Sequence, residues 1–407
     1  MSGNFYIMTT LAAKKPALWT SSFIFATVAN FMLFFSFYLL MPVLPFYLTD
    51  YFKVTNAQSG LIIAAYVAAA IMVRPFAAFI ADSFDRKIFY IVSYFAFVIF
   101  YAGYIAASVL LFFVIIRTAH GLAFGSANMA SNTVVIDLLP FSRQGEGLGY
   151  FGVFNNIAMA LGPVIGLLMY DKVDFTVIFD ASLAAGSVGC IFTLFVKVPH
   201  VEKVSHDEPV SFDRFLLLSS VPVGLNLMLL AIPYGMITTY IAMYGKHIDK
   251  SGSSGIFFIL MAVGLIISRL FAGKRIDKGK IAQIINSGIF MASFSLLLLF
   301  IADKVPAHRI FFFYFTALLL GLSYGMVFPA FNVMFVNLAP HNRRATANST
   351  YLTSWDLGVA VGIILGGKII DMTGIASVYA VGAFFALIAG VYFMNIITDY
   401  FGRHRLR

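Results

Sequence analysis

An aspartate, an arginine and a histidine stand deep inside long apolar runs of this chain: Asp356 in STYLTSWDLGVAVG, and Arg117 and His120 in IIRTAHGLAFG. A charge in such surroundings costs about 2.5 to 3.5 kcal/mol on insertion scales, so each must face water, a partner or a moving proton. Asp356 has no basic residue within one helical turn. Its carboxylate therefore finds a partner on another helix or takes up a proton, and it is the leading candidate for a proton carrier. The competing reading is an acid locked in an interhelical bond to Asn or Tyr. Arg117 either serves the transport chemistry or is a structural residue bonded to backbone carbonyls. His120 could titrate near physiological pH, although a lone helical histidine is more commonly a hydrogen-bonded core residue. Asp180, a turn or so into another apolar run, is a lesser candidate that could reach interfacial water.

A second charged pattern is written twice. RPFAAFIAD runs from Arg74 to Asp82 and RLFAGKRID from Arg269 to Asp277; in both, the arginine is followed by Phe two places on, Ala three and Asp eight. A carboxylate at a helix end can cap a neighbouring helix N-terminus, while Arg86 and Lys87 of the following DSFDRK can pair with acids or lipid phosphate. Basic residues here could simply snorkel. Duplication with the spacing intact favours a latch that holds two halves in one state.

Other chemistries lack their residues. His200 and His206 lie in a stretch of mixed charge without the rest of a ligand set, so they read as a solvated loop and no metal is expected. Cys190, the single cysteine, reads as a small packing residue in an apolar segment and permits no disulfide framework. No ATP-binding loop or nucleophile triad appears, which argues against an enzyme; no cofactor is implied. The formal charge of +9 is scattered over short loops, so nucleic acid is not an expected partner.

The elements that must position these groups are membrane helices. Hydrophobic residues make up 61 % of the chain and charged ones 11 %, against roughly half and a quarter in soluble domains. Apolar runs of about 20 residues, the length that crosses a bilayer, recur throughout. Spans are predicted over 20–48, 57–81, 88–107, 109–137, 145–170, 175–197, 214–244, 253–274, 281–302, 308–338, 344–370 and 375–398. This is an all-α membrane protein with twelve transmembrane helices. Lys14 and Lys15 precede a first run too long for a signal peptide, so that span is expected to stay. The loops DSFDRK, LLPFSRQGE, 198–213, GKRIDKGK and PHNRR and the tail RHRLR share one side, with about 19 Lys and Arg against about 7 opposite, which predicts cytoplasmic termini.

The longest connection divides the chain into residues 1–197, a linker at 198–213, and residues 214–407. The halves echo each other: Ser59 and Gly60 with Ser254 and Gly255, Arg74 with Arg269, Asp82 with Asp277, Gly121 and Gly125 with Gly321 and Gly325, Asn132 with Asn332, Gly162 and Gly166 with Gly362 and Gly366, Asp171 with Asp371. Six spans per half preserve orientation, so the halves read as parallel repeats about an axis along the membrane normal, with a binding site between them near the midplane. That predicts a rocking transporter.

With these residues in view, the chain resembles the major facilitator superfamily over essentially its whole length. The family's loop motif between the second and third spans appears as AFIADSFDRK, keeping Asp82, Arg86 and Lys87 but with Ala78, Ser83 and Asp85 at three other motif positions. GKRIDKGK is the second copy, retaining Gly273, Asp277 and Lys278. Arg117, His120 and Gly121 are similar to the family's arginine motif of the fourth span. Gly149, Gly162, Pro163 and Gly166 resemble its antiporter motif, with Ala158 and Leu167 in place of two glycines; small residues and a proline suit a helix pivot. Pro42 and Pro45 match the P-x-x-P signature of the twelve-span drug/proton antiporter branch. Many members of that branch carry an acid in the first span, where this chain has Asn30 and Ser36.

The resemblance implies the major facilitator fold, two six-helix pseudo-symmetric bundles, and a cytoplasmic gate at Arg74, Asp82, Arg86, Lys87, Arg269, Asp277 and Lys278, with Asp82 facing the eleventh span and Arg86 reaching Asp137. It also implies a cavity lined by spans 1, 4, 7 and 10, where Asn30, Tyr38, Asn128, Asn226, Tyr234, Tyr324 and Asn332 offer hydrogen bonds beside Arg117 and His120. Such an aromatic pocket suits an amphipathic molecule. The expected function is a proton-coupled exporter of small amphipathic or drug-like compounds working by alternating access, as a monomer in the lipid bilayer of a bacterial inner membrane. The alternatives are an importer or symporter of a sugar, metabolite or metal-chelator complex, and a transporter-like sensor or lipid translocator.

Overall fold

The computed structural model describes residues 17–140, 143–199, 216–248, 254–340 and 344–406, and among these every regular element is helical. The long helices are α1 (Ser21–Leu40), α3 (Asn56–Ser83), α4 (Arg86–Ala106), α5 (Leu110–Leu138), α6 (Gln144–Tyr170), α7 (Phe175–Phe195), α8 (Val221–Ile248), α9 (Ser254–Asp277), α10 (Ile281–Lys304), α11 (Arg309–Asn337), α12 (Arg344–Thr373) and α13 (Ile375–Tyr392). Two short helices, α2 (Leu44–Asp50) and α14 (Thr398–His404), extend α1 and α13. Among the described residues ten helical segments are long and apolar enough to cross a membrane; the described part of α9 offers a shorter apolar run, Ser254–Ser268, and α12 carries Asp356, Lys368 and Asp371.

Local chemistry sets the ends. Thr20 accepts a bond from the Phe23 amide at 3.2 Å and starts α1. Thr55 and Gln58 form a reciprocal capping box at the start of α3. Asp85 caps α4 by accepting from the Ile88 amide at 2.9 Å. The first span is broken rather than continuous: α1 stops at Leu40 and α2 resumes at Leu44. Pro42 lies in the break, where its missing N–H and its ring interrupt the helical ladder. Gly279 and Gly374, at φ 75° and 90°, make the turns after α9 and α12 in the left-handed region that a side chain disfavours.

Packing repeats along the chain. α3 and α4 pack on α5, α1 packs on α6 and α7, and α4 packs on α7; correspondingly α9 and α10 pack on α11, α8 packs on α12 and α13, and α10 packs on α13. Two further seams, α3 on α12 and α6 on α9, join the first group to the second. At one end of the α3–α12 seam the backbones nearly touch: a Cβ on Gly60 would lie 2.6 Å from the Ile363 carbonyl, and one on Gly367 would strike the Asn56 carbonyl. Apolar side chains gain little by leaving lipid for protein, so close approach of this kind is what holds such helices together.

Candidate functional site

The α3–α12 seam contains the central feature. Arg74 of α3 donates a hydrogen bond to the Asp356 carboxylate of α12, and the side chains are only 18 % and 26 % exposed. In the sequence the two stand far apart, one within the duplicated latch pattern and the other as a lone acid; the structure brings them together. Arg74 stands nine residues before the end of α3 at Ser83, about 13 Å inside the helix end at 1.5 Å per residue.

Beside this pair lies an aromatic centre. Trp355 packs edge-on against Phe328 with ring centroids 4.5 Å apart and against Tyr234 at 4.8 Å; Tyr234 meets Tyr324 at 4.9 Å. The Tyr234 hydroxyl donates to Met159 Sδ at 3.0 Å, tying α8 to α6. Tyr38, Met159, Pro163, Tyr234, Phe258 and Met261 surround a space of only about 10 Å³. That is room for about one water, so a solute of any size needs these helices to part.

Arg117 and His120 form a separate, sealed cluster in α5. They are 2 % and 1 % exposed. Arg117 donates to the Tyr104 hydroxyl oxygen at 3.2 Å, and its guanidinium lies 4.2 Å above the Tyr66 ring. Tyr104 is 2.7 Å from His120 Nδ1. Because Arg117 can only donate, the Tyr104 hydroxyl oxygen accepts from it, while the direction of the bond between Tyr104 and Nδ1 follows the imidazole tautomer. The rings of Phe97 and Tyr101 lie 4.7 Å from the imidazole. Among the described residues no carboxylate comes within 4 Å of Arg117. Its charge is met by a hydroxyl and a π face rather than an acid or a backbone carbonyl.

The asparagines read as cavity groups are largely engaged elsewhere. Asn30 is buried, donates to Asn155 of α6 and accepts from Ser131 of α5 at 3.2 Å. Asn226 is buried and donates to the Ala389 carbonyl at 2.7 Å, fastening α8 to α13. Asn132 donates to the Asn128 side chain at 2.9 Å, and Asn332 to Asn348 at 3.1 Å. Tyr38 and Tyr234 line the central space, and Tyr324 meets the Tyr234 ring edge-on. Met159, Trp355 and Asn155 were not singled out in the sequence. A signal existed for α6: Asn155, Met159, Gly162 and Gly166 recur at three- and four-residue intervals and so share the face turned to α1.

The glycines of α6 divide. A Cβ on Gly162 would lie 2.6 Å from the Tyr38 Cβ, and one on Gly166 would collide with the Leu39 carbonyl, whereas Gly149 has nothing within 4 Å. At the linker end of the helices, one Arg86 nitrogen donates to both Asp137 carboxylate oxygens at 2.7 Å, and Arg86 Nε donates to the Ala81 carbonyl at 3.2 Å. Lys87 is half-buried and Lys278 exposed. The side chains of Asp82, Arg269 and Asp277, like His200 and His206, lie outside the described residues. Asp180 is exposed on α7, apart from the Arg117 cluster.

At the far end two clasps cross between the groups. Asp371, near the end of α12, accepts from the Ala57 amide at 2.7 Å and from the Asn56 side chain at 2.8 Å, capping α3. Partial burial would raise its pKa, but these donors together outweigh burial and hold the carboxyl below its ordinary value. Lys246 of α8 reaches Asp171 at 3.2 Å and sits 3.9 Å over the Tyr170 ring.

The sequence pattern of the Major Facilitator Superfamily matches residues 26–307 and again 284–405. The chain is 23 % identical over 349 residues to the staphylopine export protein of Staphylococcus aureus (strain Mu50), covering 80 % of this chain and 84 % of that one. It is 24 % identical over 364 residues to the quinolone resistance protein NorA of Staphylococcus aureus (strain MRSA252), with coverage of 86 % and 90 %. A solved POT family transporter in complex with 5-aminolevulinic acid superimposes with a TM-score of 0.79 at 15 % identity, over 94 % of this chain and 96 % of that one. Apolar helices, paired packing and a seam that must part to admit a solute thus meet a family match spanning nearly the whole chain: this is a multi-pass membrane transporter, not an enzyme, and it belongs to the Major Facilitator Superfamily.

Proposed function

We propose that the protein is a proton-driven exporter of small amphipathic organic compounds, and that the Arg74–Asp356 pair is its coupling element. The observation that carries this reading is the position of the pair: it bridges α3 and α12 across the seam, beside the aromatic centre of Tyr234, Tyr324, Phe328 and Trp355. With Asp356 ionised, the pair draws α3 and α12 together. Protonation removes one charge, leaves Arg74 without its counter-charge, and weakens the seam so that the centre can open. A proton and a solute then compete for one conformational change, which is what coupling requires.

The paired packing of the helices supports two six-helix bundles, residues 1–197 and 214–407, joined by the linker at 198–213 and related as parallel repeats. In this reading α9 and α12 also cross the bilayer, bringing the spans to twelve, and both termini are cytoplasmic in a bacterial inner membrane. The clasps at Asp371 and Lys246 then close the outer face, and Arg86–Asp137 braces the cytoplasmic gate. Export is favoured by the relatives, one a staphylopine exporter and one a quinolone resistance protein. The ring-lined, methionine-rich centre suits a flat amphipathic solute better than a polyhydroxylated one.

The test uses everted vesicles that hold an acid interior. Addition of ethidium or a fluoroquinolone should release lumenal protons, read as recovery of acridine-orange fluorescence, only when the protein is present. No proton release, together with solute accumulation in right-side-out vesicles, would make the protein an importer instead.

A further inference from the structure

A cleft of about 330 Å³ opens between α9 and α10 at the linker end, far from the central seam. Its volume lies within the roughly 300–1,000 Å³ of small-ligand sites, whereas the central space holds about one water. Ile284 and Met326 form an apolar floor, and Arg275, Lys280, Gln283 and Ser287 form a polar rim. All four rim residues are exposed. Among the described residues neither Arg275 nor Lys280 has a carboxylate within 4 Å.

The corresponding place in the first half is built differently. α4 begins after Asp85, whose carboxylate caps the helix; α10 begins after Lys280, which supplies no side-chain cap. In the register that aligns Asp82 with Asp277, Arg275 replaces Ile80, Gln283 replaces Ile88 and Ser287 replaces Val92. Ile88 and Val92 are 63 % and 58 % exposed, the behaviour of side chains that face lipid. The second half has therefore exchanged one acid and three apolar residues for two cations, an amide and a hydroxyl around a recess. A positive-inside loop needs the cations but neither the recess nor the polar pair on α10.

We infer that this cleft binds the phosphate of an anionic phospholipid headgroup in the leaflet on the linker side. Arg275 and Lys280 neutralise the phosphate, Gln283 and Ser287 donate to its oxygens or to the glycerol, and the apolar floor takes the first methylenes. The first-turn amides of α10 add partial positive charge. A lipid fits better than a soluble phosphate because the face of α10 that carries Gln283 and Ser287 continues at helical spacing to Phe294 and Leu297, both exposed. The acyl chains have a surface to follow.

The test is native mass spectrometry of the purified full chain titrated with dioleoylphosphatidylglycerol and, separately, dioleoylphosphatidylcholine. Arg275→Gln/Lys280→Gln should weaken phosphatidylglycerol binding by about 30-fold, at roughly fivefold per cation removed, and leave phosphatidylcholine binding unchanged. Arg403→Gln/Arg405→Gln, which removes the same charge from the C-terminal tail, should leave phosphatidylglycerol binding intact. Equal loss in both double variants would reduce the effect to net charge and overturn the site. Displacement of phosphatidylglycerol by millimolar inorganic phosphate would overturn the lipid assignment in favour of a soluble phosphate.

Discussion

Breaking the Arg74–Asp356 pair from each side is the most direct trial of the coupling reading. Exposed ion pairs couple by about 0.2–1 kcal/mol, and removing one partner of a fully buried pair costs about 3–5 kcal/mol. At 18 % and 26 % side-chain exposure the pair lies between these limits, so about 1–3 kcal/mol is expected, or roughly 5–150-fold in the balance between closed and open seam. Seam opening can be read from maleimide labelling of a cysteine at Met159, on the central space, in a Cys190→Ser background. Asp356→Asn and Arg74→Gln should each raise the labelling rate within that range. The double variant should not exceed either single, because the pair is already broken and the second change removes the stranded charge. Asp356→Asn should also abolish uphill transport while sparing counterflow of solute. Labelling rates that multiply in the double variant, or uphill transport that survives Asp356→Asn, would refute the coupling role.

Further outcomes follow from the same geometry. Gly166→Ala drives a Cβ into the Leu39 carbonyl and should lower both thermal stability and transport, whereas Gly149→Ala meets nothing and should stay within about 0.5 kcal/mol of the parent; thermal unfolding of both separates a packing seam from a mere glycine preference. Asp371 has a depressed pKa, so its clasp is fully present above the unfolded carboxylate value of about 3.9 and is lost only as pH falls through the lower folded value. Far-side labelling of the parent should accordingly be flat between pH 5 and pH 8, and Asp371→Asn should raise it at every pH in that range. Arg117→Lys keeps the charge but loses the planar contact over Tyr66, and should retain part of the transport that Arg117→Ala abolishes; wild-type rates in both would make Arg117 a packing residue.

Helix positions were legible because apolar run length and capping residues are local. Most of the expected spans agree with the observed helices to within a few residues, while α8 begins at Val221 against an expected 214; the break at Pro42 explains why the first one is not continuous. The Arg86–Asp137 pair, expected from the loop motif, is present. Arg74–Asp356 was not legible, because 282 positions separate its members and only the docking of α3 on α12 makes them neighbours. The asparagines mark another limit. Helical spacing cannot tell an Asn that faces a cavity from one that spends its amide on an adjacent helix, as Asn226 does on the Ala389 carbonyl. Nor could it reveal that Arg117 rests on tyrosines, since Tyr66 and Tyr104 come from two other helices.

The near-contact of backbones at Gly60 and Gly367 gives the α3–α12 seam a fulcrum at one end. A tilt of about 10° about Gly60, over the roughly 21 Å of helix from there to Arg74, would lift the other end by about 4 Å. The gap widens in proportion to distance from the pivot. Thin, planar molecules would therefore be admitted at smaller tilts than globular ones, making molecular thickness a criterion of selection alongside polarity.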